Sequence, residues 1–161
     1  MNDIKNGVGK VIILAPFIFI CHFLEESPGF VAWFNAHVSR GITSGLFWSV
    51  NITALVITIV IVVIELFMPS LFSAFLIVLW LSFLMLANAI FHIAGSLTDQ
   101  NYMPGLITAI VLYIPYYFGV IMRIMKKRKS HIGLLIASGI SGSLPMLIHG
   151  YMILFLGDRL F

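Results

Sequence analysis

Apolar residues gather into five long stretches, at 8–26, 48–67, 70–96, 104–125 and 133–156, separated by short polar segments. None of them alternates with the period of two that half-buried strands show, so the pattern predicts helices and not barrel strands. A helix needs roughly 20 apolar residues to cross a bilayer, and it satisfies its own backbone hydrogen bonds there. Pro69 stops the second stretch. Pro104 opens the fourth, at a favoured early helix position. The third is long enough to tilt or project. Between the first two, residues 27–45 hold Trp33, Phe34, His37 and Arg40 and read as a short interfacial helix, because Trp favours the headgroup level. The expected fold is therefore all-α and integral to the membrane: a five-helix transmembrane bundle with a short interfacial helix after the first, residues 1–161 forming one domain. There is no internal repeat and no low-complexity tail.

Composition strengthens this picture. Hydrophobic residues make up 61% of the 161 and charged residues only 9%, against about 25% charged in a soluble domain. Lys126, Lys127, Arg128 and Lys129 separate the fourth and fifth stretches, and Lys5 and Lys10 precede the first. The positive-inside rule puts both groups in the cytoplasm, so five spans leave the N-terminus cytoplasmic and the C-terminus outside. Arg40 and Arg159 then fall on the outer side. The net charge of +3 reports topology and contact with anionic membrane lipid, and no nucleic-acid partner is expected. The first stretch lacks a small-x-small cleavage site and ends in two acids, so it is expected to stay in the mature protein. Cys21 is the single cysteine, which permits no internal disulfide.

Ionisable residues inside membrane spans are costly and mark function by default. Sorted by depth, His22, Glu25 and Glu26 lie toward the outer end of the first helix, and Asn88 and His92 toward that of the third. Tyr102 and Thr108 frame the outer start of the fourth, and His149 lies about two-thirds of the way up the fifth. At ~1.5 Å per residue these fall within a couple of turns of one level. His22 stands at i, i+3 and i+4 to Glu25 and Glu26, and Asn88 at i, i+4 to His92, the spacing by which bundles present ligands inward. Imidazole and carboxylate suit one transition metal, zinc or iron first, with His22, Glu25, Glu26, His92 and His149 as candidate ligands. Pro28 should end the first helix at Ser27. Glu25 and Glu26 then occupy its last turn, where the dipole repels anions, and something must compensate them: a cation, a protonated histidine or a shared proton.

The run His22-Phe23-Leu24-Glu25-Glu26 resembles the signature of the HXXEE family of small bacterial membrane proteins. The resemblance extends, in the family's order, to Asn88-Ala89-Ile90-Phe91-His92 and to Tyr102-Met103-Pro104-Gly105-Leu106-Ile107-Thr108. It implies a four- or five-helix membrane protein with a polar site, in a bacterial inner membrane, and supplies no reaction. In architecture alone the chain is also similar to the emopamil-binding sterol isomerases, through His22 and Glu26 on a helix of a five-span protein.

Other polar positions have plainer readings. Glu65, near the cytoplasmic end, reads as a partner for the basic run, and Thr108 as packing or a backbone bond. His37 and His131 read as surface groups, and Asp99 as solvated or as a support for His92. Ser138 with Gly142, and Gly139 with Ser143, form small-xxx-small pairs that let helices approach closely. Pro16, Pro115 and Pro145 are expected to bend their helices and open a cavity.

Three function classes remain open. The first is a membrane-embedded metalloenzyme acting on a lipid-like or apolar substrate. Here a glutamate left uncoordinated serves as general base, Tyr102 donates to a developing oxyanion, and Asn88 completes the candidate catalytic groups with Glu25 and Glu26. Hydrolysis and oxidation both fit. The second is a metal-free acid–base isomerase in which His22 and Glu26 shuttle a proton. The third is a metal, proton or small-ligand carrier or an accessory protein, and against transport stands the lack of an inverted repeat. The metalloenzyme ranks first. An apolar small-molecule ligand and homo-oligomerisation are compatible with all three.

Overall fold

The computed structural model describes residues 8–160, and these are helical with no strand among them. A 3-10 turn, Lys10–Ile13, leads into α1 (Leu14–Glu26), and α2 (Phe30–His37) follows across a 67° bend. Then come α3 (Ser44–Phe67), α4 (Leu71–Asp99), α5 (Leu106–Lys127) and α6 (Lys129–Leu156), the four helices long and apolar enough to cross a membrane. The first stretch differs from expectation. Its α-helix covers only 13 residues, about 20 Å, where a hydrocarbon core is ~30 Å thick. Gly9 has φ +82 at one end, and Pro28 follows at the other. Among the described residues the bundle thus has four helices of spanning length, or five candidate spans if α1 and α2 count together as one bent span. Lys5, used above for orientation, lies outside the described residues.

Caps set the other boundaries. Thr43 accepts the amide of Leu46 at the start of α3, and Ser70 and Ser73 form a reciprocal capping box at the start of α4, each relieving amides without intrahelical partners. Glu65 belongs to this corner. Its carboxylate takes the Ser73 hydroxyl at 2.5 Å and the Val8 amide at 2.6 Å. It ties three segments together, and the reading that paired it with the basic run is corrected.

α4 is the central helix and α3 the most peripheral. α4 packs most extensively on α6, through the small residues picked out in the sequence. A Cβ on Gly142 would overlap the Leu79 carbonyl, and the Ser138 hydroxyl donates to the Phe75 carbonyl at 2.9 Å. Buried apolar side chains of α1, α4 and α5 complete the core, among them Phe19, Ile77, Met85 and Val120. The outer faces are also apolar, with Phe17, Phe67, Phe72, Leu97 and Val111 well exposed. Apolar helices with an apolar exterior point to a membrane protein.

Three π-helical turns interrupt the long helices: 82–87 in α4, 109–113 in α5 and 152–156 in α6. Such turns accommodate one extra residue and redirect the side chains beyond them. The turn in α5 falls just ahead of Pro115, which cannot donate to the ladder. Pro16 stands in the first turn of α1, where a missing amide costs little.

Candidate metal centre

His22 and Glu26 are one turn apart on the buried face of α1, and His92 comes from α4 to meet them. All three are almost fully buried. The His92 Nε2 lies 3.0 Å from Glu26 Oε1 and the His22 Nε2 3.5 Å from the same oxygen. One nitrogen or oxygen from each residue falls within 4.8 Å of the others, a group that could hold a metal ion. The imidazole rings meet edge to face at 4.9 Å. Neither Nε2 is aligned as a hydrogen bond, and His92 Nδ1 also has no partner. Buried polar atoms nearly always find partners, so the two Nε2 atoms converge on a point without satisfying one another.

α5 supplies the support. The His22 Nδ1 lies 2.8 Å from the Thr108 hydroxyl, which also lies 3.3 Å from the Gly105 carbonyl. A carbonyl only accepts, so Thr108 donates to Gly105 and accepts from His22. That places the proton of neutral His22 on Nδ1 and leaves Nε2 with its lone pair toward Glu26. A histidine fixed through its far nitrogen is the usual companion of metal ligation. Thr108 thus makes the backbone bond read from the sequence and in addition fixes His22. Gly105, at φ +97, presses its backbone onto the group. A Cβ there would stand 2.6 Å from His92 Cε1, 2.9 Å from Glu26 Cγ and 3.0 Å from His22 Cε1. Tyr113, fully buried in the π turn of α5, lays its ring 4.1 Å from that of His22, and its hydroxyl has no partner. Sequence reasoning missed both Gly105 and Tyr113.

Glu25 is not in the cluster. Its carboxylate accepts the Ile107 amide at 3.0 Å, the Thr108 amide at 2.7 Å and the Tyr102 hydroxyl at 2.6 Å. It caps the N-terminus of α5, where amides lack intrahelical partners and the dipole favours an anion. Tyr102, in the loop before α5, is thereby committed to Glu25. Partial burial and the adjacent carboxylate push its hydroxyl up to about 12.

Beside the centre lies a cavity of about 290 Å³, with walls mainly of Phe, Leu, Ile and Met. His22 and Glu26 open onto it from α1, Asn88 from α4 and His149 from α6. The Asn88 Oδ1 is buried without a partner. His149 sits across the cavity and is not brought into the ligand group. Its Nδ1 accepts the Leu160 amide at 3.1 Å, and its ring stacks on Phe34, because the chain beyond α6 folds back over it. Asp99 does not reach His92. It accepts Trp33 Nε1 at 2.6 Å and contacts His37 Nε2 at 3.0 Å, so it fastens α2 to the end of α4, and His37 is part of that clasp and not a plain surface group. His131 is exposed, as expected.

The fold and site define a class: an apolar helical bundle with a buried His-Glu-His group carried by α1 and α4 beside an apolar cavity. The family described as "protein of unknown function with HXXEE motif" matches residues 13–120, and this chain belongs to it. The matched residues include His22, Glu25, Glu26, His92, Gly105, Thr108 and Tyr113, and stop short of His149. No curated protein and no solved structure matches the chain.

Proposed function

We propose that this protein is an integral membrane metalloenzyme, with one transition metal, zinc or iron, held by His22, Glu26 and His92 and an apolar, lipid-like substrate in the adjoining cavity. One observation carries the reading: the buried Nε2 atoms of His22 and His92 lack hydrogen-bond partners and converge on one carboxylate oxygen. Each unsatisfied buried polar atom costs about 1–3 kcal/mol, and a shared cation offsets that cost. Three protein ligands of this kind are the usual complement of a catalytic site, which keeps a position open. The metal would supply Lewis acidity toward a polar group of the substrate. The chain's own part is to hold His22 through Thr108, to exclude water with apolar walls, and to offer the Asn88 amide to a substrate group in the cavity. The basic residues at the far ends of the spans favour an N-terminus in the cytoplasm and a C-terminus outside.

Elemental analysis of detergent-purified protein, prepared without chelator, tests this. Near-stoichiometric metal is expected in the wild type and in Glu25→Gln, and less than a tenth of it in Glu26→Gln and His92→Ala. Metal-free wild type would overturn the reading. It would favour a proton shuttle between Glu26 and its two histidines, to which the 3.0 Å approach of His92 lends itself.

A further inference from the structure

Arg159, just beyond α6, is the one cationic side chain among those lining the cavity beside the metal centre. Among the described residues no carboxylate pairs with its guanidinium. The neighbouring Asp158 carboxylate instead accepts the Arg159 backbone amide at 2.8 Å. Arg159 is half-buried, and a guanidinium at the rim of an apolar cavity is a polar group placed to orient a ligand there.

The cavity carries its cationic group at one end, with the uncharged amides of Asn51 and Asn88 between that end and the apolar far end. Ile42, just before α3, and Leu46, in its first turn, lie near the helix ends with Arg159, whereas Ala54, Phe19 and Leu84 line the far reach of the cavity. Leu46 and Ala54 are about 12 Å apart along α3 at ~1.5 Å per residue. The volume of about 290 Å³ holds about ten groups of ~30 Å³ each, the bulk of one medium-length chain and not of a two-chain lipid. The acid in the wall, Glu26, already faces two histidines, so a cationic head has no free partner there.

We propose that this cavity binds a single-chain amphiphile with an anionic head, a carboxylate or phosphate monoester, the head on Arg159 and the chain running inward toward Ala54 and Leu84. His22 and Glu26 enter the wall one turn or less from the end of α1, so the atoms presented to them are those nearest the head. This deepens the metalloenzyme reading and rests on it only for what is done to those atoms, not for binding itself.

The test is a scintillation-proximity assay on the full chain in detergent with radiolabelled decanoate, scoring saturable binding. Unlabelled decanoate and decyl phosphate are expected to compete at least tenfold better than decyltrimethylammonium or decanol, and the stronger of the two anions identifies the head. Arg159→Gln should weaken binding about tenfold or more, Arg159→Lys should retain most of it, and Ala54→Trp should remove it by filling the far end. Equal competition by the cationic amphiphile, or the absence of saturable binding, would overturn the proposal. So would unchanged binding in Arg159→Gln, meaning that Arg159 only meets the bilayer, or that the head sits on the metal if His92→Ala then abolishes binding. Metal content of the same preparations separates the two readings. Decanoate bound by metal-free protein leaves this inference standing without the metalloenzyme, and metal without decanoate binding does the reverse.

Discussion

A carboxylate in the last turn of a helix meets the negative end of the dipole, and two in succession also repel each other. The chain resolves this by sending the pair to different partners: Glu26 to two imidazoles, Glu25 to the amides that open α5. The adjacent acids of the motif thus have separate tasks that their spacing alone does not reveal. Gly105 is the residue on which the packing of the site turns. Gly105→Ala must hold a side chain at φ +97, about 1–3 kcal/mol of strain, and must push a methyl against His22, Glu26 and His92. A lower melting temperature together with loss of bound metal is expected, read by thermal denaturation and elemental analysis on one sample. Retained metal at reduced stability would show that the three ligands tolerate displacement.

At the scale of elements, α5 is oriented from outside itself. Glu25→Gln keeps the shape of the cap and removes its charge, and a loss of about 0.5–2 kcal/mol is expected, the usual worth of an N-cap, with metal content unchanged. The same contact predicts a titration. The ionisation of Tyr102 is raised to about 12, so its neutral form is favoured in the folded protein. That contribution is fully present below the ordinary tyrosine value near 10 and is lost as pH rises through about 12. An ultraviolet difference titration against Tyr102→Phe should show a midpoint above 10 that falls back toward it in Glu25→Gln. The reach of α5 also explains why Tyr113 escaped the sequence reading. Helical spacing without the π turn at 109–113 does not show that its ring meets His22.

For the whole molecule, the close approach of α4 and α6 sets the width of the bundle. Phe83 and Leu84 on one helix and Met146 and His149 on the other line the cavity. Gly142→Leu cannot fit against the Leu79 carbonyl. Forcing the helices apart should cost about 1–3 kcal/mol or more, seen as a lower melting temperature and a changed affinity for apolar ligands, whereas Gly133→Leu, where an added Cβ meets open space, should be nearly neutral.

The sequence by itself determined the helical class, the four helices of spanning length, the small-residue face of α6 and the pairings His22 with Glu26 and Asn88 with His92 on their helices. Each follows from a local rule: an apolar run must close its own hydrogen bonds in lipid, small residues permit close approach, and residues four apart share a helix face. The tertiary structure decided which of several polar groups at one depth meet. Depth is one coordinate, and rotation about each helix axis is the other. The π turns, the bend after α1 and the fold-back beyond α6 set that rotation through contacts between distant segments. They bring His92 to Glu26, turn Glu25 away to cap α5, lay Tyr113 on His22 and leave His149 across the cavity.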